Sequence, residues 1–279
     1  MKITEEITKE VFENYVPAAR MPERNGSVYN RLQQQLSDVY TMLVRKVVGE
    51  VYEERLTSDR QLKDAVLRHV CLQAFVMTAR SLDLVLTATG FGIVSTNSTA
   101  PASKSRVDAL IEECRIQSIV SLHDIILHMT SAEGWGGTPC AETSICCLFW
   151  NVGHLTSYTT LQLTSDNWQK ASGQALEADV TLRKAISDEY MEELLRKIRT
   201  HSLNNDDTII VNKCLVFIGG FISRYDTDRR PASKELDAIV GQLETYVQHY
   251  PTYQQSATYR GRHAERYKNK KDDPTFFFM

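Results

Sequence analysis

Apolar residues recur at intervals of three and four along most of the chain, the spacing of a helical face turned towards a core. From Ser27 the series Tyr29, Leu32, Leu36, Val39, Tyr40, Met42, Leu43, Val47 and Val48 predicts a helix reaching about Arg55. Thr57-Ser58-Asp59 offers an N-cap for a second helix. Its apolar positions, including Leu62, Val66, Val70, Phe75 and Met77, cover more than one stripe, which predicts a buried helix extending towards Leu86. LTATGFGIVSTNSTAP (residues 86–101) breaks the period. Gly90 and Gly92 bracket Phe91, and GIVST has the β-branched content of a short extended segment, so a turn, strand or loop protrudes there. Ser103 opens a third helix that runs to about Thr130.

The Gly-rich stretch SAEGWGGTPCAETS (residues 131–144) reads as the clearest internal boundary, and the apolar run after it as helix first, then strand or loop. Helical spacing returns over 167–198, over 208–225 behind Asp206-Asp207 as a cap, and then to about His249. The fold class is therefore mainly α: a helical bundle with a small β element or protruding loop and extended terminal arms.

Pro-Ala-Ser-Lys occurs at 101–104 and 231–234, and Ser-Asp-x-Tyr lies upstream of each, at 37–40 and 187–190. Two matches in the same order, each pair enclosing a strongly apolar helix, predict a tandem of two related helical units. The implied organisation is an N-terminal arm (1–27), a first unit (28–132) with a protruding loop (87–100), a connector (133–166), a second unit (167–250) and a basic, aromatic C-terminal arm (251–279). The local role of the motif is helix initiation, with Ser103 or Ser233 accepting hydrogen bonds from the first free amides.

Composition narrows the function classes. A formal net charge of -3 argues against a general polyanion binder. The N-terminal residues lack the pattern of a secretory signal, and no apolar stretch approaches bilayer length, so synthesis in the cytoplasm and no membrane association are expected. The six cysteines, at 71, 114, 140, 146, 147 and 214, show no CxxC spacing and read as reduced and mostly buried.

No phosphate loop, nucleophile elbow, zinc-protease or dinucleotide fingerprint is present. Gly90-Phe91-Gly92 lacks the lysine and third glycine of a phosphate loop. His123 and His128 point about 140° apart on a helix and do not converge on one metal. Cys140, Cys146, Cys147 and His154 are the best thiol or metal group but lack a further partner at helical spacing. No catalytic residue, metal or cofactor is assigned, and the chain is read as a non-enzyme.

Arg260, Arg262, Arg266, Lys268, Lys270 and Lys271, interleaved with tyrosines, suit contact with DNA or an acidic partner. Phe276, Phe277 and Phe278 need cover, which an edge strand or a neighbouring subunit would provide.

TATGFGIVSTNSTAPASKSRVDALIEE (residues 87–113), with NKKDDPTFFFM (269–279) and KEVFENYVP (9–17), resembles an uncharacterised family encoded among capsid and tail genes of tailed phages and prophages of gut anaerobes. The resemblance implies a virion structural protein of the head-to-tail connector, or neck-ring, type. It implies self-assembly into a ring of about twelve copies, with the portal and tail or other neck proteins as partners and passing DNA as a further contact. Interface roles then fall to Gly90, Phe91, Gly92, Ile93 and Val94 of the loop and to Phe276, Phe277 and Phe278. This chain is larger than a minimal connector of that type. The rival from another class is a non-virion phage protein, either a nucleic-acid-binding regulator or an enzyme.

Overall fold

The sequence's caps and apolar faces sort into short helices at both ends and long ones between, seen in a computed structural model that describes residues 3–19, 28–82, 84–87, 90–93, 103–227 and 233–264. Helices α1 (Ile3–Glu6) and α2 (Lys9–Tyr15) lead to α3 (Val28–Arg31), α4 (Gln33–Leu43), α5 (Arg55–Ser58) and α6 (Arg60–Thr78). Strands β1 (Leu84–Thr87) and β2 (Gly90–Ile93) separate α6 from α7 (Lys104–Thr130). There follow α8 (Pro139–Ser144), α9 (Val152–Tyr158), α10 (Ser165–Ala185), α11 (Asp188–Arg199) and α12 (Asn205–Arg224). The described chain closes with α13 (Ser233–Thr245), α14 (Pro251–Gln254) and α15 (Ala257–Arg262). The mainly helical class expected from the periodicity is what the chain adopts, and the small β element is the hairpin β1–β2.

Helices α6 and α7 form the central pair. They run antiparallel, since Asp59 meets His128, His69 meets Ser118 and Arg80 meets Asp108 along their length. Asp59 caps α6 as its position suggested, accepting from the amides of Gln61 at 2.8 Å and Leu62 at 3.2 Å. Nearly all the buried hydrophobic residues, from Ile3 to Tyr253, form one contiguous cluster. No described helix is long and apolar enough to cross a membrane.

Four boundaries differ from expectation, each for a local reason. The helix expected to reach Arg55 stops at Val48, where a π turn (Val44–Val48) widens the last turn and Gly49 takes a φ of 87°, a conformation that favours glycine. The buried helix ends at Thr78 rather than near Leu86, because the chain turns into β1. Over 167–198 there are two helices, and Ser187 restarts the second by accepting from the Tyr190 amide at 3.1 Å. Helix α12 begins at Asn205 with a reciprocal capping box between Asn204 and Asp207.

The repeat landmarks occupy different places in the fold. Ser187 is an N-cap, whereas Ser37 lies inside α4. Ser103 sits at the N-cap of α7 without capping it, its Oγ lying 3.2 Å from Ser105 Oγ, and Ser233 is the first residue of α13. The two stretches are alike in sequence but not in local structure.

The segments read as arm and connector are heavily packed. Ile3, Ile7, Phe12 and Val16 are buried, while Lys63 pairs with Glu6 and Tyr15 donates to Asp64, so residues 3–19 lie against α6 rather than extending away. In the connector, Trp135 is fully buried and its Nε1–H donates to the Val47 carbonyl at 3.1 Å. The Arg199 Nε–H donates to the Ile145 carbonyl at 3.1 Å, and a Cβ on Gly136 would sit 2.6 Å from the Arg199 carbonyl oxygen. Glycine is needed there for close approach, not for a loose hinge. At the other end, Tyr250 and Tyr253 pack edge-on against Tyr190, with centroids 5.8 and 6.3 Å away, which anchors the start of the expected C-terminal arm to the core through Tyr253.

Candidate functional site

Where α4, the π turn, α6 and α7 converge, the surface opens into a mostly apolar groove of about 480 Å³. Val39, Met42 and Leu43 come from α4, Lys46 and Val47 from the π turn, His69, Gln73 and Met77 from α6, and Ser118, Ile119 and Leu122 from α7. The spacing 69, 73, 77 places the α6 contributions on one face, one turn apart. Met42 and Met77, whose periodicity assigned them to the core, are 52% and 60% exposed. They line a recess and do not fill it.

The groove floor is polar yet internally satisfied. His69 Nδ1 lies 2.9 Å from the Ser118 carbonyl and donates to it, and Ser118 Oγ donates to Gln73 Oε1 at 3.1 Å. Burial holds the His69 imidazole below its ordinary pKa, partly offset by the Ser118 hydrogen bond, so it is neutral at pH 7. A neutral, self-bonded floor under a methionine rim suits an apolar or aromatic side chain better than a charged ligand.

A second recess, of about 520 Å³, is charged and lies at the other end of α6, lined by Arg60, Gln61, Asp64, Arg68, Asp124 and His128. Within it Arg68 pairs with Asp64 at 3.1 Å, and His128 Nδ1 lies 3.7 Å from the N-cap carboxylate of Asp59.

The residues singled out in the sequence fall as follows. Gly90, Phe91, Gly92 and Ile93 make up β2, paired antiparallel with β1 in the register Leu84↔Ile93, Val85↔Gly92, Leu86↔Phe91 and Thr87↔Gly90. Val94, Phe276, Phe277, Phe278, Arg266, Lys268, Lys270 and Lys271 lie outside the described residues. Arg260 and Arg262 are both on α15, but Arg262 is engaged at home: it donates to the Tyr253 hydroxyl at 2.7 Å and to the Ala185 carbonyl. Its guanidinium fastens α15 to the body, which argues against its expected role as a contact for DNA or an acidic partner.

The thiol group does not assemble as a unit. Cys140 Sγ lies 3.6 Å from the Arg45 carbonyl, and His154 is set among Phe149, Trp150 and Tyr158. Cys146 is exposed and Cys147 buried, and the two are joined by a hydrogen bond that lowers the Cys146 pKa and raises that of Cys147. His123 is buried, its Nδ1 accepting from the Val152 amide at 3.1 Å. All six cysteines are free, four of them buried.

Residues 26–144 match the model of a family of unknown function (DUF6712). The matched segment is less than half of the chain, yet it contains the hairpin and every residue lining the apolar groove. No curated protein and no solved structure matches the chain. The DUF6712 segment thus carries both the apolar groove and the β element, while α15, which holds Arg260 and Arg262, lies beyond it.

Proposed function

We propose that this chain is a structural assembly protein of a tailed-phage particle, a head-to-tail connector that forms a homo-oligomeric ring between portal and tail. The observation that carries the proposal is the hairpin. Among the described residues β1 and β2 are hydrogen-bonded only to each other, leaving each strand an outer edge on which a neighbour's strand can add. A two-stranded hairpin is marginal by itself in water, so pairing between copies would stabilise it. The methionine-rimmed groove supplies a second, unlike surface, and closed rings repeat one heterologous interface. The resemblance of GFGIVSTNSTAPASK (residues 90–104) to an uncharacterised family encoded among phage capsid and tail genes supports placing such a ring in a virion.

The test pairs two measurements. Native mass spectrometry should show a discrete assembly at a multiple of the 31.8 kDa chain mass. Proteomics of purified particles should find the protein at about a dozen copies per particle, as a cyclic ring of that order requires. A monomer at every concentration, absent from particles, would defeat the proposal and favour a regulator or an enzyme.

A further inference from the structure

We infer that the groove between α4, α6 and α7 receives residues 272–278 of a neighbouring copy, the segment DDPTFFF; the inference rests on the ring reading above. Chemistry selects this occupant. Three consecutive phenylalanines, Phe276–Phe278, need an apolar receptor, and the groove offers Met42, Met77, Ile119 and Leu122. Thioethers pack well against aromatic edges, and methionine adapts to the shape of what it covers. The floor residues His69, Ser118 and Gln73 already bond to one another, so a phenyl ring laid over them does not break a contact they need.

Charge sets the direction of entry. Exposed Lys46 stands at the groove's edge, and Asp272-Asp273 immediately precede Pro274 in the tail, so the acidic pair meets the lysine as the aromatic residues enter.

The tail leaves the body from helices other than those that build the groove. Helix α15 is fastened to α10, α13 and α14, through Arg262 on the Ala185 carbonyl, Arg262 on Tyr253, and His263 on Glu244 at 2.8 Å. The groove is built by α4, α6 and α7. Donor and receptor therefore belong to different sets of helices, which is the arrangement a head-to-tail contact uses. From Ala264 to Phe276 an extended chain reaches at most about 40 Å.

The test uses the full-length chain carrying Phe276→Ser, Phe277→Ser and Phe278→Ser, so that its own tail does not compete. The probe is a fluorescein-labelled peptide of residues 269–279. Saturable binding is expected, weakened about tenfold or more when Met77→Glu or Lys46→Glu is added. Met77 and Lys46 are exposed, so the far-ultraviolet circular dichroism should not change. In the wild-type tail background, Met77→Glu should convert the ring to smaller species. Absent binding, or binding indifferent to both substitutions, overturns the inference. So does docking within one chain, which methyl NMR would report as Met42 and Met77 signals identical in monomer and ring. Peptide binding without particle incorporation sinks the connector reading and leaves the groove assignment standing; incorporation without peptide binding does the reverse.

Discussion

Acid should destabilise this protein through His123. The imidazole is buried on α7, its ring edge-on to Trp168 at 5.0 Å and to Trp150 at 6.3 Å, and its Nδ1 accepts from the Val152 amide. An acceptor nitrogen cannot carry a proton, and nothing in the aromatic surroundings compensates a charge. Burial first, then the fields of His154 and His69, push its pKa down to about 4. In the unfolded chain the group returns to about 6.5. As pH falls through 6.5 the unfolded state takes up the proton and the folded state does not, so stability declines until about pH 4 and levels off below. Between pH 7 and pH 5 the linkage relation gives a loss of about 2 kcal/mol from this residue. His154, also lowered to about 4 by burial, acts in the same direction. Against a total of about 5–15 kcal/mol, that is a large fraction.

The assay is urea unfolding followed by far-ultraviolet circular dichroism at pH 7 and pH 5, for the wild type and for His123→Asn, whose amide oxygen can stand in for Nδ1. The variant is less stable at pH 7 because it leaves space, but its pH dependence should be shallower by about 2 kcal/mol. Parallel pH dependence in the two proteins would refute the reasoning, whatever their absolute stabilities.

Three further outcomes follow from the packing. Gly219→Ala should destabilise by about 1–3 kcal/mol, because the added Cβ would lie 2.1 Å from the Tyr158 carbonyl oxygen and push α12 off α9; an unchanged urea midpoint excludes that contact. Asn204→Ala removes one half of the capping box of α12 and should cost about 1 kcal/mol; a change within error would show that Asp207 and its 2.9 Å bond to Lys197 hold the helix start unaided. Iodoacetamide at pH 7 should label Cys146 ahead of buried Cys71, Cys114, Cys147 and Cys214, and Cys147→Ala should slow that labelling; equal rates with and without Cys147 would remove the hydrogen bond as its cause.

Much of the fold was legible because its determinants are local. Asp59 caps α6, α7 runs from Lys104 to Thr130, and the loop after α6 holds a β element, all readable from spacing and from cap or β-branched residues. The misread boundaries share one cause, because apolar periodicity continues smoothly through a break. Gly49 and Ser187 interrupt helices whose neighbouring turns all present apolar residues to the same core. The groove was hidden for a related reason. Met42, Met77 and Leu122 occupy helical positions indistinguishable in sequence from Leu43 or Val70, and only the spacing between α4 and the α6–α7 pair leaves the two methionines uncovered.

By itself, then, the sequence determined the helical class, most helix starts and the place of the hairpin, since caps, turns and face periodicity act within a few residues. The tertiary structure decided which apolar residues are core and which are rim, that the Gly-rich stretch around Trp135 is packed against Val47 and Arg199, and that Arg262 is a fastening. Those outcomes depend on how distant helices meet. Gly136 needs the Arg199 carbonyl, contributed from more than sixty residues along the chain, before its missing side chain has a purpose.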